Sequence, residues 1–136
     1  MSYGVSAALQ SAIYGALTAS TAVTDLVGTD IYDAVPTGTV PSLYVSIGAE
    51  TARAANDKTG TGALHDVRIA VVTDVQGFAA AKAVATAVSD TLHGADLTLT
   101  RGRLIYLNFD RAVADRSDGG AGRTITLRFK ARVEDA

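Results

Sequence analysis

Arg123-Thr124-Ile125-Thr126-Leu127-Arg128-Phe129-Lys130-Ala131-Arg132-Val133 is the stretch on which the fold turns. Ile125, Leu127, Phe129, Ala131 and Val133 alternate with Thr124, Thr126, Arg128, Lys130 and Arg132. That period of two marks a strand with one face in a core and one face toward water. It closes a sheet, and the segments before it should supply the rest.

Working back from it, Asp118-Gly119-Gly120 marks a loop over 115–122, preceded by strands at Arg103–Val113 and Leu97–Leu99 on either side of Arg101-Gly102. Phe78–Leu92 carries Phe78, Ala81, Val84, Ala85, Val88 and Leu92 at helical spacing, a stripe whose small Ala side chains allow close approach to a sheet. Gly77 separates that helix from the central strand His65–Val75, where Val67, Ile69 and Val71 share one face. Asp66, Arg68 and Asp74 share the other with Ala70 and Val72. Ser42–Gly48 alternates in the same way, and Ile31–Val35 reads as a short strand closed by the Pro36–Pro41 turn. The chain opens with a helix over Val5–Leu17, with Ser2 as its N-cap, then a second turn over Thr21–Val27 ending at Gly28.

Between the strands, residues 49–63 hold Thr, Ala, Gly, Asp and Lys with almost nothing to bury. This reads as a flexible arm or long hairpin connection, a segment a compact domain seldom keeps without using it. Its mixed-sign set Glu50, Arg53, Asp57 and Lys58 is a candidate partner-binding surface. The whole then reads as one α+β domain over 1–136, a mostly antiparallel sheet with two main helices packed on one face.

Composition narrows the function. Hydrophobic residues make up 48% and charged residues 19%, a globular balance large enough for a core without staples. Ala and Val dominate while aromatics reach only 6%, so burial against neighbouring copies would add usefully to a modest core. The net charge of −2 argues against general capture of nucleic acid. Zero cysteines exclude disulfides and make structural zinc improbable. No apolar run reaches the length of a membrane span, and Met1-Ser2-Tyr3-Gly4 lacks the basic start of a secretion signal.

The chemistry-bearing residues point the same way. His65 opens a strand and His93 ends a helix, and neither has a second His or a Cys at ligand spacing. Gly60-Thr61-Gly62 is a fragment of a phosphate cradle, but a strand follows it where a helix is needed. Asp115, Ser117 and Asp118 lack the spacing and the closing Glu of a calcium loop. No catalytic residue, metal or cofactor is expected. Arg128, Lys130 and Arg132 form a basic row that is either a solvated face paired with Asp66 or Asp110, or a contact with another subunit or with passing nucleic acid.

One family shares this succession. It rests on Leu9–Tyr14, Leu26-Val27-Gly28, Ile31–Pro36, Pro41–Gly48, Gly62–Val72, Gly77–Leu92, and Asp118-Gly119 followed by Leu127–Glu134. In their order and spacing the chain resembles a tail terminator, also called tail-completion or neck protein, of long-tailed phages and phage-derived gene transfer agents. It departs from relatives with an aromatic-rich central strand by carrying Ala70-Val71-Val72-Thr73. The resemblance implies a non-enzymatic virion protein, assembled in the host cytoplasm, forming a homo-hexameric ring. The ring would cap the head-proximal end of the tail tube, stop tube polymerisation and dock the head–tail connector. DNA would pass through the bore, with Arg128, Lys130 and Arg132 at a subunit interface or in the lumen. Other readings stay open: a connector-stopper or tail tube subunit of the same particle, a small α+β enzyme or ligand-binding domain, and a nucleic-acid-binding module.

Overall fold

In the computed structural model, which describes residues 2–33, 38–55, 62–75, 77–116 and 122–135, a 3-10 turn at Ser2–Val5 runs straight into helix α1, Ser6–Ala19. Val5, Leu9, Ile13 and Leu17 recur every four residues on one face and are at most 1% exposed. Burying each such side chain is worth about 1.5–3 kcal/mol, so this stripe, more than capping, holds the helix. The residue at the N-cap of α1 is Val5, with no side-chain cap, because the turn begins at Ser2 instead of the helix. Ser2 is therefore not the cap the sequence suggested. Ser20 leaves helical geometry and opens α2, Thr21–Val27, which stops at Gly28 with φ 61°. There the Gly28 N–H donates to the Thr24 carbonyl at 2.8 Å.

The sheet holds β1 (Ile31–Tyr32), β2 (Leu43–Ala54), β3 (Gly62–Thr73), β4 (Arg103–Arg116) and β5 (Arg123–Glu134), in the order β1-β2-β3-β5-β4. Only β1 and β2 are parallel. The other neighbours are antiparallel, giving the expected α+β class. The alternating stretch of β5 lies between β3 and β4, and its apolar side, Ile125 to Val133, is at most 4% exposed. Helix α3, Ala79–Leu92, sets Ala81, Val84, Ala85, Val88 and Leu92 into the same core cluster as Val45, Ile69, Leu127 and Phe129. At its end the Gly94 N–H donates to the Leu107 carbonyl at 2.7 Å, fastening the helix to β4.

Several expected boundaries change. Leu97–Leu99 is not a strand: both leucines pack half-buried against the core, with no ladder partner, so their alternation reflects plugging and not pairing. The Ile31–Val35 strand shortens to Ile31–Tyr32, with 34–37 outside the described residues. The largest change concerns 49–63. Residues 49–54 belong to β2 and 62–63 to β3, forming the distal part of a long hairpin. Residues 51–54 on the β2 side are exposed on both faces and so show no apolar alternation, which is why this part reads as loop. Residues 56–61, including Asp57 and Lys58, lie outside the described residues.

A bulge within β2 decides which way its second half faces. Ile47 pairs with Ile69 and Glu50 with Val67, so Gly48 and Ala49 on β2 stand opposite the single residue Arg68 on β3. A Cβ on Gly48 would come within 3.3 Å of the Arg68 carbonyl. Such an inserted residue re-aims the side chains after it. Here it turns Glu50 to the core face.

Candidate interaction surfaces

Glu50 turned inward meets Ser6 and His65. The Ser6 hydroxyl donates to one carboxylate oxygen of Glu50, and the other stands 3.1 Å from His65 Nδ1. The Tyr3 ring stacks on the imidazole with centroids 6.3 Å apart. Burial alone would push the Glu50 carboxyl up, but the hydrogen bonds from Ser6 and His65, with the His65 charge and a Tyr3 hydrogen bond, outweigh it. The carboxyl is held below its ordinary range. Ser6 donates to the carboxylate and not to the imidazole, so no histidine stands ready to take the hydroxyl proton. His65 is fully buried, and its Nε2 has no hydrogen-bond partner among the described residues. The cluster ties the 3-10 turn and α1 to the β2–β3 hairpin. Of the residues expected to bind a partner, Glu50 is half-buried in this cluster and Arg53 is exposed.

His93 has a comparable part. Its Nδ1 accepts from the Phe109 N–H at 2.9 Å, where the β4–β5 register shifts between Phe109 and Arg111. It fastens α3 to the bulge in β4. Among the described residues, no group of three or more His, Cys, Asp or Glu gathers where a metal ion could be held.

Arg128, Lys130 and Arg132 do share the sheet face turned away from the core, and both suggested acids act on Arg128, Asp66 by direct contact and Asp110 through its charge. Arg128 grips Asp66 with both arms, Nε to Oδ1 at 3.2 Å and Nη2 to Oδ2. That hydrogen bond, followed by the charges of Arg128, Arg68 and Lys130, holds the Asp66 carboxyl below the usual range against the opposing effect of burial. Arg132 reaches along the hairpin and donates to the Ala55 carbonyl at 2.8 Å. The cross-strand register adds two arginines that reading β5 alone could not supply, Arg68 directly opposite Arg128 on β3 and Arg111 opposite it on β4.

The outer strand β4 is the second surface. It is fourteen residues long, and of its large side chains only Leu107 is buried. Ile105, Tyr106, Phe109 and Val113 are 39–44% exposed. Tyr106 and Val113 lie on the face away from the core, opposite Arg132 and Thr126, whereas Phe109 lies on the core side, edge-to-face with Phe129 at 5.9 Å between centroids. A groove of about 350 Å³ runs beside it, with Lys82, Thr86 and Asp90 on α3 and Ala112, Ala114, Ile125 and Leu127 on the strands. An unpaired edge with exposed apolar side chains invites pairing with another chain. The sequence reading passed over these residues. The available signal was the run Leu104-Ile105-Tyr106-Leu107, apolar at both parities and so unlike a strand with one wet face.

Comparison with known proteins agrees with a chain built around surfaces. In structure it is similar to a chain in the solved virion of a native gene transfer agent particle, with a TM-score of 0.93 and 55% sequence identity over 98% of this chain and 99% of that one. No curated protein matches it. The profile of the family described as tail completion protein gp17 matches residues 11–134. Because that match takes in the whole sheet, α2, α3 and most of α1, the chain belongs to the tail completion protein gp17 family.

Proposed function

We propose that this chain is a structural virion protein that closes a homo-hexameric ring at the head-proximal end of a tail tube. The ring stops tube polymerisation, presents its other face to the head–tail connector, and leaves a bore for DNA. No bond is made or broken. Its partners are its own copies, the tube protein and the connector or stopper, within a phage-like or gene transfer agent particle.

The observation that carries the reading is a pair of unlike open edges on one sheet. One is β4, with its exposed apolar residues. The other is the outer side of β2 beyond Ser46, since β1 covers only Val45 and Ser46 and no other described strand pairs there. A ring needs a heterologous contact in which one patch meets a different patch on the next copy until the rotation closes. Two different edges at opposite sides of a sheet supply such a pair by strand addition.

Mass measurement under native conditions, free and on assembled tails, tests this. A sixfold multiple of the 13.9 kDa protomer is the expected result. Protomer alone in both settings removes the reading. Filament growth by the pure protein would favour the tube-subunit alternative, because an unclosed heterologous contact polymerises.

A further inference from the structure

The sheet face turned away from the core carries more than half of the chain's basic side chains. Arg53, Arg68, Arg103, Arg111, Arg128, Lys130 and Arg132 all lie on it, seven of the twelve Lys and Arg in a chain of net charge −2, against the acids Asp66, Asp115 and Glu134. Three of them, Arg68, Arg128 and Arg111, stand directly opposite one another on three adjacent strands. Neighbouring strands are about 4.8 Å apart, so the row packs like charges at a spacing that destabilises a sheet.

Only the middle member of that row, Arg128, makes an ion pair among the described residues, while Asp66 acts on Arg68 through charge alone. Asp66 is taken up by Arg128, while Arg68 and Arg111 make no hydrogen bond or ion pair among the described residues. Two strand positions along, Thr51, Arg53, Asp66 and Lys130 border a hollow of about 320 Å³. Ser46, Asn108 and Thr126 supply hydroxyl and amide donors around the row. Tyr106 and Val113, exposed apolar side chains of this face, lie on β4 at its edge.

A cationic row only partly offset by Asp66 and Asp110, and set among hydroxyls, suits a ligand of repeating, hydrated anions. It suits a protein partner less well, because docking would desolvate the guanidinium groups without an aromatic anchor in the centre. We propose that this face is a phosphate-contacting wall for duplex DNA, reading backbone and not sequence. The inference rests on the ring reading for its strength: one copy offers only a few phosphate contacts, and a ring presents the wall six times to one ligand.

The test uses the full chain and a short blunt-ended DNA duplex of arbitrary sequence, with binding followed by fluorescence anisotropy across a salt series and assembly followed by mass. The variants are Arg68→Gln/Arg111→Gln, the charge-keeping Arg68→Lys/Arg111→Lys, and Arg101→Gln in the turn before β4, outside both surfaces, as a control elsewhere. The expected result is sequence-independent binding at low salt. The glutamine pair should weaken it by roughly tenfold or more and reduce the log–log salt slope by about 2, while the lysine pair and the control retain it. A sixfold assembly that ignores DNA at low salt overturns this inference and leaves the ring intact. Binding by a persistent monomer with the same variant pattern keeps the wall and removes the ring. If the glutamine pair leaves DNA binding unchanged, or DNA fails to bind while that pair alone abolishes the sixfold mass, the wall is wrong and the latter outcome makes the face a subunit contact.

Discussion

Glu50 and His65 are diagonal neighbours across the β2–β3 hairpin, with Oε2 and Nδ1 3.1 Å apart. The pairing exists because the bulge at Gly48-Ala49 shifts the phase of β2. Without it, Glu50 would lie on the opposite face. The same carboxylate receives Ser6, so a single acidic side chain joins the N-terminal helix to the hairpin.

Glu50 therefore makes stability depend on acid. Its folded carboxyl is held below the ordinary range by Ser6, His65 and Tyr3 against the cost of burial. A depressed carboxylate contributes stability that is complete above its unfolded pKa and is lost as pH falls through the lower folded value. Glu50→Gln should flatten the acid limb of a plot of denaturant midpoint against pH and change the neutral region less. An acid limb unchanged in the variant would show that other carboxylates govern it.

Phe129 is the largest fully buried side chain, at the centre of β5. Phe129→Ala should cost about 3–5 kcal/mol, read as a lowered denaturant midpoint with an unaltered slope. Part of that loss is the edge-to-face contact with Phe109. A double-mutant cycle on the two phenylalanines should return about 0.5–1.5 kcal/mol of coupling. Additive losses would mean that Phe109 merely lies near Phe129.

Gly28 and Gly102 separate two costs of a glycine replacement. Both have positive φ, 61° and 69°. At Gly28 an added Cβ meets nothing within 4 Å, so Gly28→Ala should cost about 1–3 kcal/mol of backbone strain alone. At Gly102 it would fall 2.4 Å from the Glu134 carbonyl and 2.9 Å from Val5 Cγ2. The neighbour at 2.4 Å is backbone of β5 and cannot turn aside, so Gly102→Ala should destabilise clearly more than Gly28→Ala in paired thermal melts. Equal losses would contradict the close packing of that turn on β5.

The parts of this fold legible in the sequence are those where one face is dry and the other wet. The β5 alternation, the α3 stripe ending at Leu92 and the Val67-Ile69-Val71 face of β3 all appear where periodicity puts them. Periodicity fails where both faces meet solvent, as in the second half of β2, or where both faces carry apolar residues, as in β4. It also cannot anticipate the phase shift that takes Glu50 from an exposed arm to a half-buried tie. The cationic face was half legible: Arg128, Lys130 and Arg132 share a strand, but Arg68 and Arg111 join them only through cross-strand register. Register is a property of the assembled sheet and is not written in any one segment.

The final prediction concerns the β4 edge. Val113 is 44% exposed on the face away from the core, and Ile105 is 43% exposed where the register shifts near the other end of the strand. Neither belongs to the buried cluster. A lysine at such a site should change protomer stability by less than about 0.5 kcal/mol. A charged side chain on an open edge is also the natural device against strand-to-strand association. Ile105→Lys/Val113→Lys should therefore leave the unfolding transition of the dilute protein in place while the sixfold species disappears from native mass spectra. Because the two positions lie near opposite ends of one strand, each single substitution should weaken assembly and the pair should abolish it. Retention of the sixfold mass in the double variant, with folding unchanged, would exclude β4 from the contact between copies and move that contact elsewhere on the protomer.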